Sequence, residues 1–429
     1  MKKWLSFLLI LAILLGSTAL AAEEGSVVID GTGSRKIKIH KTGDNTAPDG
    51  ISPTTGRDLS EVAEGLPETY GGMAKSGKYY PMLVQISNPN GGVGANAPWY
   101  LSYADIVYET PLEAGGTTRH VALFNDMLPE MVGPCRSIRA HHMALQAEWD
   151  CPYVFHGMQE QYVKPLITQL RKTNTGLNYK ADGQNYILYD GKDNQDRFYN
   201  ANGLHFRVTA KGMESPNNSG YRLADLVEKA APKNIEFNNH TYKFLDFDGD
   251  VEKLYDVLPQ GGDDAGFIYV NWNLPGKGGS KNNSRLEYDP EENVYYRYVL
   301  DAKTNVATLY DELLLEPTAT GKVKSGSMTI PCDISHGDPV TFTNVIVQAI
   351  SIKWSGGGKS ISNKVLPIGT GNADYFMGGQ HYKGVWNRDT VDDRTIFYDE
   401  NGYELSLLPG KTLIIMIDYE NGKVVSYDP

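Results

Sequence analysis

Arg136, Ser137 and Arg139 follow a Gly133-Pro134 pair, and two acidic residues, Glu109 and Glu113, stand upstream of them with Arg119 between. Two kinds of chemistry follow from these residue types. Guanidinium groups three apart on a helix can act together on one anion. Two carboxylates at strand spacing can perform acid/base work on a glycan, with His156 or His205 as a further base. A bland reading stands beside each: the carboxylates serve as structural counter-ions, and the histidines are hydrogen-bonded parts of the frame.

The elements that must position these groups can be read from pattern. Asp105 to Glu109 and Arg119 to Phe124 are rich in β-branched and aromatic residues, as strands are. Gly115-Gly116 between them suits a tight hairpin turn. Alternation puts Glu109 and Glu113 on one face if the strand reaches that far, and Arg119, Val121 and Leu123 on one face of its partner. Pro134 suits a helix start, and Ile138, His142, Leu145 and Trp149 form one helical stripe. Arg136 and Arg139 then fall near the first turn, where the helix dipole disfavours cations by ~0.3–1 kcal/mol each. An acidic counterpart is therefore expected. It is either an internal ion pair with Glu109 or Glu113, or a bound anionic ligand held by Arg136, Arg139, the Ser137 hydroxyl and free helix amides; the two can coexist. Cys151 to His156 reads as a short buried strand ending at a cleft-lining histidine. Tyr162 to Arg171 reads as a second helix.

This stretch resembles the YerB-like family of bacterial envelope lipoproteins, a domain-of-unknown-function family. The residues that carry the resemblance are Ala104-Asp-Ile-Val-Tyr-Glu109, Gly115-Gly116 with Thr118-Arg119, Gly133-Pro134 with Arg136-Ser137 and Arg139, and His156-Gly157. Pro53-Thr-Thr-Gly56 resembles a motif ahead of the first domain. Thr343 to Gln348, Gly369-Thr-Gly371, Trp386-Asn-Arg388 and Phe397 to Leu405 match the C-terminal half. This chain departs from the family at Cys135, at Gly157-Met-Gln-Glu160, and at Gly203-Leu-His205-Phe206, where the family has Pro-His-Asn. It also lacks the lipidated cysteine that family members often carry. The resemblance implies an α/β (α+β) fold of sandwich type and an extracytoplasmic place, and no established activity.

The totals set bounds. A chain of 429 residues with 41% hydrophobic and 21% charged residues can bury one large core or two ordinary ones. The net charge of −12 disfavours general nucleic-acid binding, so an anion site must be a local basic pocket. Residues 1–21 read as a signal peptide, with Lys2-Lys3, an apolar run and Ala19-Leu-Ala21; a retained anchor is the alternative. No later stretch is long and apolar enough to span a bilayer. No cysteine follows the apolar run, so the expectation is a secreted or wall-associated, non-lipidated protein.

Residues 22–50 are expected to be a flexible tether or a loosely held strand. Residues 51–231 form an N-terminal α/β domain with a mixed sheet and the helices, and 232–429 a mostly β domain. The first core strand is Tyr80 to Ser87. Leu223 to Ala231 is a short helix. Val294 to Leu300, Val340 to Ser351, Lys383 to Trp386 and Thr412 to Asp418 are strands. Residues 173–211 are loop-rich and carry Asp193, Asp196 and Arg197.

Three free thiols are expected, since Cys135 and Cys151 flank the expected helix at a separation of roughly 20 Å or more. A nucleophilic Cys135 activated by Arg136 and followed by His141 is the sharper alternative. Adjacent His141 and His142 point to different sides of a helix and do not chelate together, and Asp246 to Asp250 lacks the later ligands of a calcium loop. Gly369-Thr-Gly371 and Ser355 to Gly358 read as turns rather than phosphate loops. No metal or cofactor is expected. The leading functional expectation is a non-catalytic envelope protein binding an anionic or glycan-rich wall component. The rivals are a wall hydrolase using Glu109, Glu113 and His156, and a scaffold that contacts an envelope protein through its β half.

Overall fold

The computed structural model describes residues 26–27, 35–41, 47–88, 92–113, 117–149, 151–159, 161–163, 165, 188–190, 205–230, 245–247, 262–272, 282–301, 303–324, 327–352, 354–355, 360–361, 367–391, 393–418 and 423–427. The expected signal peptide, the Gly115-Gly116 turn, Glu160, most of the Tyr162 to Arg171 helix, Asp193, Asp196, Arg197 and the Asp248 to Asp250 and Gly356 to Gly358 stretches lie outside them.

Among the described residues strands account for 48% and helices for 11%, which makes the fold a mostly β member of the α+β class. The centre is one mixed sheet of eleven strands. The expected hairpin is there: Ile106–Glu113 pairs antiparallel with Thr117–Phe124, which pairs in turn with Met82–Asn88. Thr412–Asp418 lies parallel to Ile106–Glu113 on one side and to Asn344–Ile350 on the other. The sheet continues through Gly369–Met377 and Gln380–Arg388. The 231/232 boundary therefore marks a change of composition, and the sheet runs across it.

Met82–Asn88, Asn344–Ile350 and Thr412–Asp418 are buried along their whole length. Strands covered on both faces read as continuous apolar runs for this reason. On one face Ile106, Tyr108, Val121 and Leu123 pack with Met143, Leu145 and Trp149. On the other, Val107, Ala122, Phe124, Val345 and Ile415 meet Ile268, Leu286, Tyr295 and Val424 of a seven-stranded antiparallel sheet. A five-stranded sheet containing His205–Thr209 and Ser219–Tyr221 packs around Trp99, Phe206 and Leu313.

The helix after Pro134 is corrected in extent. It spans His142–Trp149, and all eight of its residues are buried, so it has no solvent-facing side. Gly369-Thr-Gly371 opens a strand and is not a turn. The Trp386 indole donates to the Ala349 carbonyl at 2.8 Å, and a Cβ on Gly371 would collide with both groups. Gly371→Ala is expected to lower stability by about 1–3 kcal/mol, measured as a fall in the urea midpoint with unchanged slope.

Of the stretch 22–50, expected to be a flexible tether or a loosely held strand, residues 35–41 lie against the C-terminal strands. The Arg35 amide donates to Asn372 at 2.6 Å and the His40 amide to the Gly402 carbonyl at 2.7 Å. Ser26–Val27 also pairs with Val425 and Ser426.

Candidate functional site

Gly133 to Arg139 is an extended segment, and its backbone bonds explain why it is not helical. Cys135 N donates to Ser219 O at 2.6 Å, Arg136 N to Gln85 O at 3.0 Å and Ile138 N to Gly157 O at 3.1 Å. Arg136 O accepts from His156 N at 3.0 Å. Amides bonded sideways to three neighbours cannot form a helical ladder. Arg136 and Arg139 are therefore not at a helix N-terminus, and the dipole argument for an anion does not apply to them.

The first residue of the helix that follows bonds back to the segment before it. His142 Nδ1 accepts from the Arg139 amide at 3.0 Å, and its Nε2 lies 2.8 Å from Thr110 Oγ1. With Nδ1 accepting, Nε2 is the donor, so the ring is neutral. Burial, with the nearby His141, Arg119 and Arg139, holds its pKa well below the ordinary value. The rings of His141 and His142 lie 4.1 Å apart, which corrects the expectation that they diverge. His141 is also held down, to about 3, by burial and then by Arg139 and Arg119. Among the described residues no group of three metal-ligating side chains forms.

The basic side chains sort into two sets. Arg119 donates to the Ser137 carbonyl, and Arg139 donates to the same carbonyl at 3.3 Å and to Ile138 O at 3.1 Å. Arg136 turns elsewhere. Its guanidinium donates to Asn217 Oδ1 at 2.9 Å, an oxygen that also accepts from Ser87. Asn217 is fixed in turn by donating to Asn96 at 2.9 Å. Beside it, Arg207 donates to Asn218 Oδ1 at 2.9 Å and to His156 Nε2 at 3.3 Å. His156 stacks on His205 with ring centroids 5.0 Å apart, and His205 Nε2 lies 2.7 Å from Ser219 Oγ. Burial, then His156 and Arg207, holds His205 down to about 3. Ser137 Oγ donates to His156 O at 3.0 Å.

The structure thus joins Arg136, Ser137, His156 and His205, and adds Arg207, Asn217 and Asn218. Arg136, Ser137, His156, Arg207 and both asparagines are half-buried and reach solvent. Among the described residues neither Arg136 nor Arg207 has a carboxylate within ion-pair distance; amide oxygens and an imidazole hold them. Arg207 was findable, because it is two residues after His205 on a strand and so shares its face.

Glu109 is not in this set. Strand alternation puts it on the Val107 face, opposite to Arg119, so the expected pairing of Glu109 with Arg119, Arg136 and Arg139 is corrected. Its carboxylate accepts from Arg297 at 3.2 Å through both oxygens, from Thr118 at 2.7 Å and from Asn88 at 3.3 Å. Arg297 also stands 4.3 Å from the centre of the Tyr310 ring. Burial works to raise the Glu109 pKa, but Arg297, His120 and Thr118 outweigh it and hold the carboxyl below its ordinary value. A sealed, ionised carboxylate cannot protonate a glycosidic oxygen. The strand pairing shifts register between Pro111 and Glu113, and the Glu113 side chain lies outside the described residues.

None of the three cysteines is in a disulfide, and all are buried. Burial pushes the Cys135 thiol far up, and burial with Asp333 pushes Cys332 up to about 11. Cys135 is therefore no thiolate nucleophile.

A second carboxylate site escaped the sequence reading. Asp105 and Asp126 are both buried, and Thr54 Oγ1 lies 2.7 Å from Asp105 Oδ2 and 3.3 Å from Asp126 Oδ1. Ser52 and Thr55 donate to Asp126 at 2.7 Å each, so the Pro53-Thr-Thr-Gly56 motif is the lid of this pair.

Family models match in two places. One described as "Protein of unknown function (DUF3048) N-terminal domain" matches residues 71–230, and one described as the DUF3048 C-terminal domain matches residues 322–414. Among curated proteins the chain is 38% identical over 131 residues to "Putative lipoprotein YerB" of Bacillus subtilis (strain 168). That alignment covers 30% of this chain and 32% of the relative, about a third of the relative's length. Among solved structures, the crystal structure of the YerB protein from Bacillus subtilis matches with a TM-score of 0.55 and 19% identity, over 88% of this chain and 99% of that one. At that identity the match speaks for the fold.

Proposed function

Since the chain belongs to the YerB-like family with its DUF3048 N- and C-terminal domains, a family without an assigned activity, we propose a role from its own side chains. It is an extracytoplasmic protein that binds an anionic or glycan-rich wall component through the face made by Arg136, Ser137, His156 and Arg207. The placement outside the cytoplasm rests on the composition of residues 1–21 and on the word lipoprotein in the relative's name. Among the described residues no helix is long and apolar enough to cross a membrane.

One observation carries the proposal. Arg136 and Arg207 each donate to a neutral amide oxygen, of Asn217 and Asn218 respectively, which holds the guanidinium without cancelling its charge. A carboxylate or phosphate arriving there gains charge-assisted bonds to preset donors. The face is built of arginines and asparagines, and Glu109, sealed against Arg297, is no acid for a hydrolase.

The test is sedimentation of purified mature protein with cell-wall fractions. Arg136→Ala and Arg207→Ala are each expected to weaken binding by about 10-fold or more, since a hydrogen bond to a charged group contributes ~1.5–3 kcal/mol. Thermal midpoints stay within a few degrees of the parent, and binding falls with added salt. Equal sedimentation by parent and variants removes this face as the site.

A further inference from the structure

Arg35 is inserted into the C-terminal part of the central sheet. One guanidinium nitrogen donates to the carbonyls of Ala373 at 2.8 Å and Gly384 at 3.0 Å, which sit opposite each other on paired strands. The other donates to both oxygens of Asp374 at 2.8 and 3.1 Å. The Asp374 side chain is 1% exposed and is held from behind by His381, whose Nε2 lies 2.9 Å from Oδ1. His381 in turn stacks on Phe376 at 4.8 Å. The acceptors belong to two paired strands of the sheet. Their layout, two carbonyls and a bidentate carboxylate, matches the planar fork of a guanidinium; an ammonium is a point charge and cannot span it.

The rest of the segment is held near the surface. His40 lies flat on Tyr403 at 4.6 Å, and Lys41 pairs with Asp389, with both side chains more than half exposed. Exposed pairs of that kind contribute little. Arg35, its side chain 25% exposed, supplies the segment's one described contact with a buried carboxylate, and the Arg35 and His40 amides add bonds to the Asn372 side chain and the Gly402 carbonyl.

We propose that Asp374, with the carbonyls of Ala373 and Gly384, is a guanidinium-binding site that Arg35 fills as an internal ligand, and that it accepts the arginine side chain of an extended peptide when residues 35–41 lift away. This inference is independent of the Arg136 and Arg207 face.

The experiment is chemical rescue. Arg35→Ala is expected to lower the thermal midpoint, and millimolar ethylguanidinium restores at least half of the loss in a saturable way. Ethylammonium does not, and neither compound rescues Arg35→Ala combined with Asp374→Asn. A synthetic peptide of residues 33–41 binds Arg35→Ala and not the parent protein. In the unmodified protein, ethylguanidinium speeds amide exchange at residues 36–41 and leaves the Ile106–Glu113 strand unchanged, a readout that survives if the variants fold poorly. An unchanged midpoint in Arg35→Ala, equal rescue by ethylammonium, or exchange at residues 36–41 that ignores ethylguanidinium overturns the proposal.

Discussion

Arg297→Met is expected to destabilise the protein by about 3–5 kcal/mol, the usual cost of stranding one charge of a sealed pair. Arg297 is 1% exposed at the side chain and Glu109 is 0% exposed, and they join the central sheet to the seven-stranded sheet across the core. Removing the guanidinium leaves an ionised carboxylate with only Thr118, Asn88 and a distant His120 around it. The second substitution is the discriminating one. Glu109→Gln in the Arg297→Met background removes the stranded charge and is expected to recover at least half of the loss, because replacing both partners of a buried pair is far less harmful than removing one. Urea denaturation of the four proteins gives the coupling directly. If Arg297→Met costs no more than a surface change, the pair is not the inter-sheet tie described.

The Asp105 and Asp126 pair is expected to make stability fall as pH rises. Burial first, then the Asp126 charge, holds the Asp105 carboxyl well above its ordinary value of 3.8, and burial raises Asp126 as well. In the unfolded chain both protons leave near 3.8, while the folded pair keeps at least one for longer. The folded state then binds more protons, so this contribution is full below 3.8 and is lost as pH climbs through the raised values, at up to ~1.4 kcal/mol per pH unit per proton. Glu109, with its depressed value, contributes the opposite slope, so the comparison must be between variants. Asp105→Asn keeps an oxygen for Thr54 and for the Asn125 and Asp126 amides. It is expected to match the parent at pH 4, exceed it at pH 8, and flatten the difference curve. Asp105→Ala, which orphans three donors, is expected to be less stable at every pH. Parallel curves for parent and Asp105→Asn would show that the pair holds no extra proton.

Much of the frame was legible in the residues. Ile106–Glu113, Thr117–Phe124 and Thr412–Asp418 announced themselves by β-branched and apolar runs. The helix start was not legible, because every residue from His142 to Trp149 is buried and apolar spacing cannot separate helix from extended chain where everything is covered. Pro134 suited a helix in principle, but lateral partners on Gln85, Ser219 and Gly157 took the amides. Glu109 was correctly singled out as a strand residue and wrongly paired. Its true partner, Arg297, is 188 residues away and no local pattern points to it. The Asp105 lid was missed for the same reason, since Ser52, Thr54 and Thr55 approach it only after the chain has doubled back.

The parallel seat of Thr412–Asp418 beside Ile106–Glu113 has a consequence for how the molecule is made. The early hairpin waits for a neighbour some three hundred residues downstream, and such distant pairings carry a large loop-closure entropy and fold slowly. A nascent chain emerging from its N-terminus therefore carries a naked apolar ribbon with unmatched amides until the far strand arrives. During that interval it is a target for self-association and for chaperones.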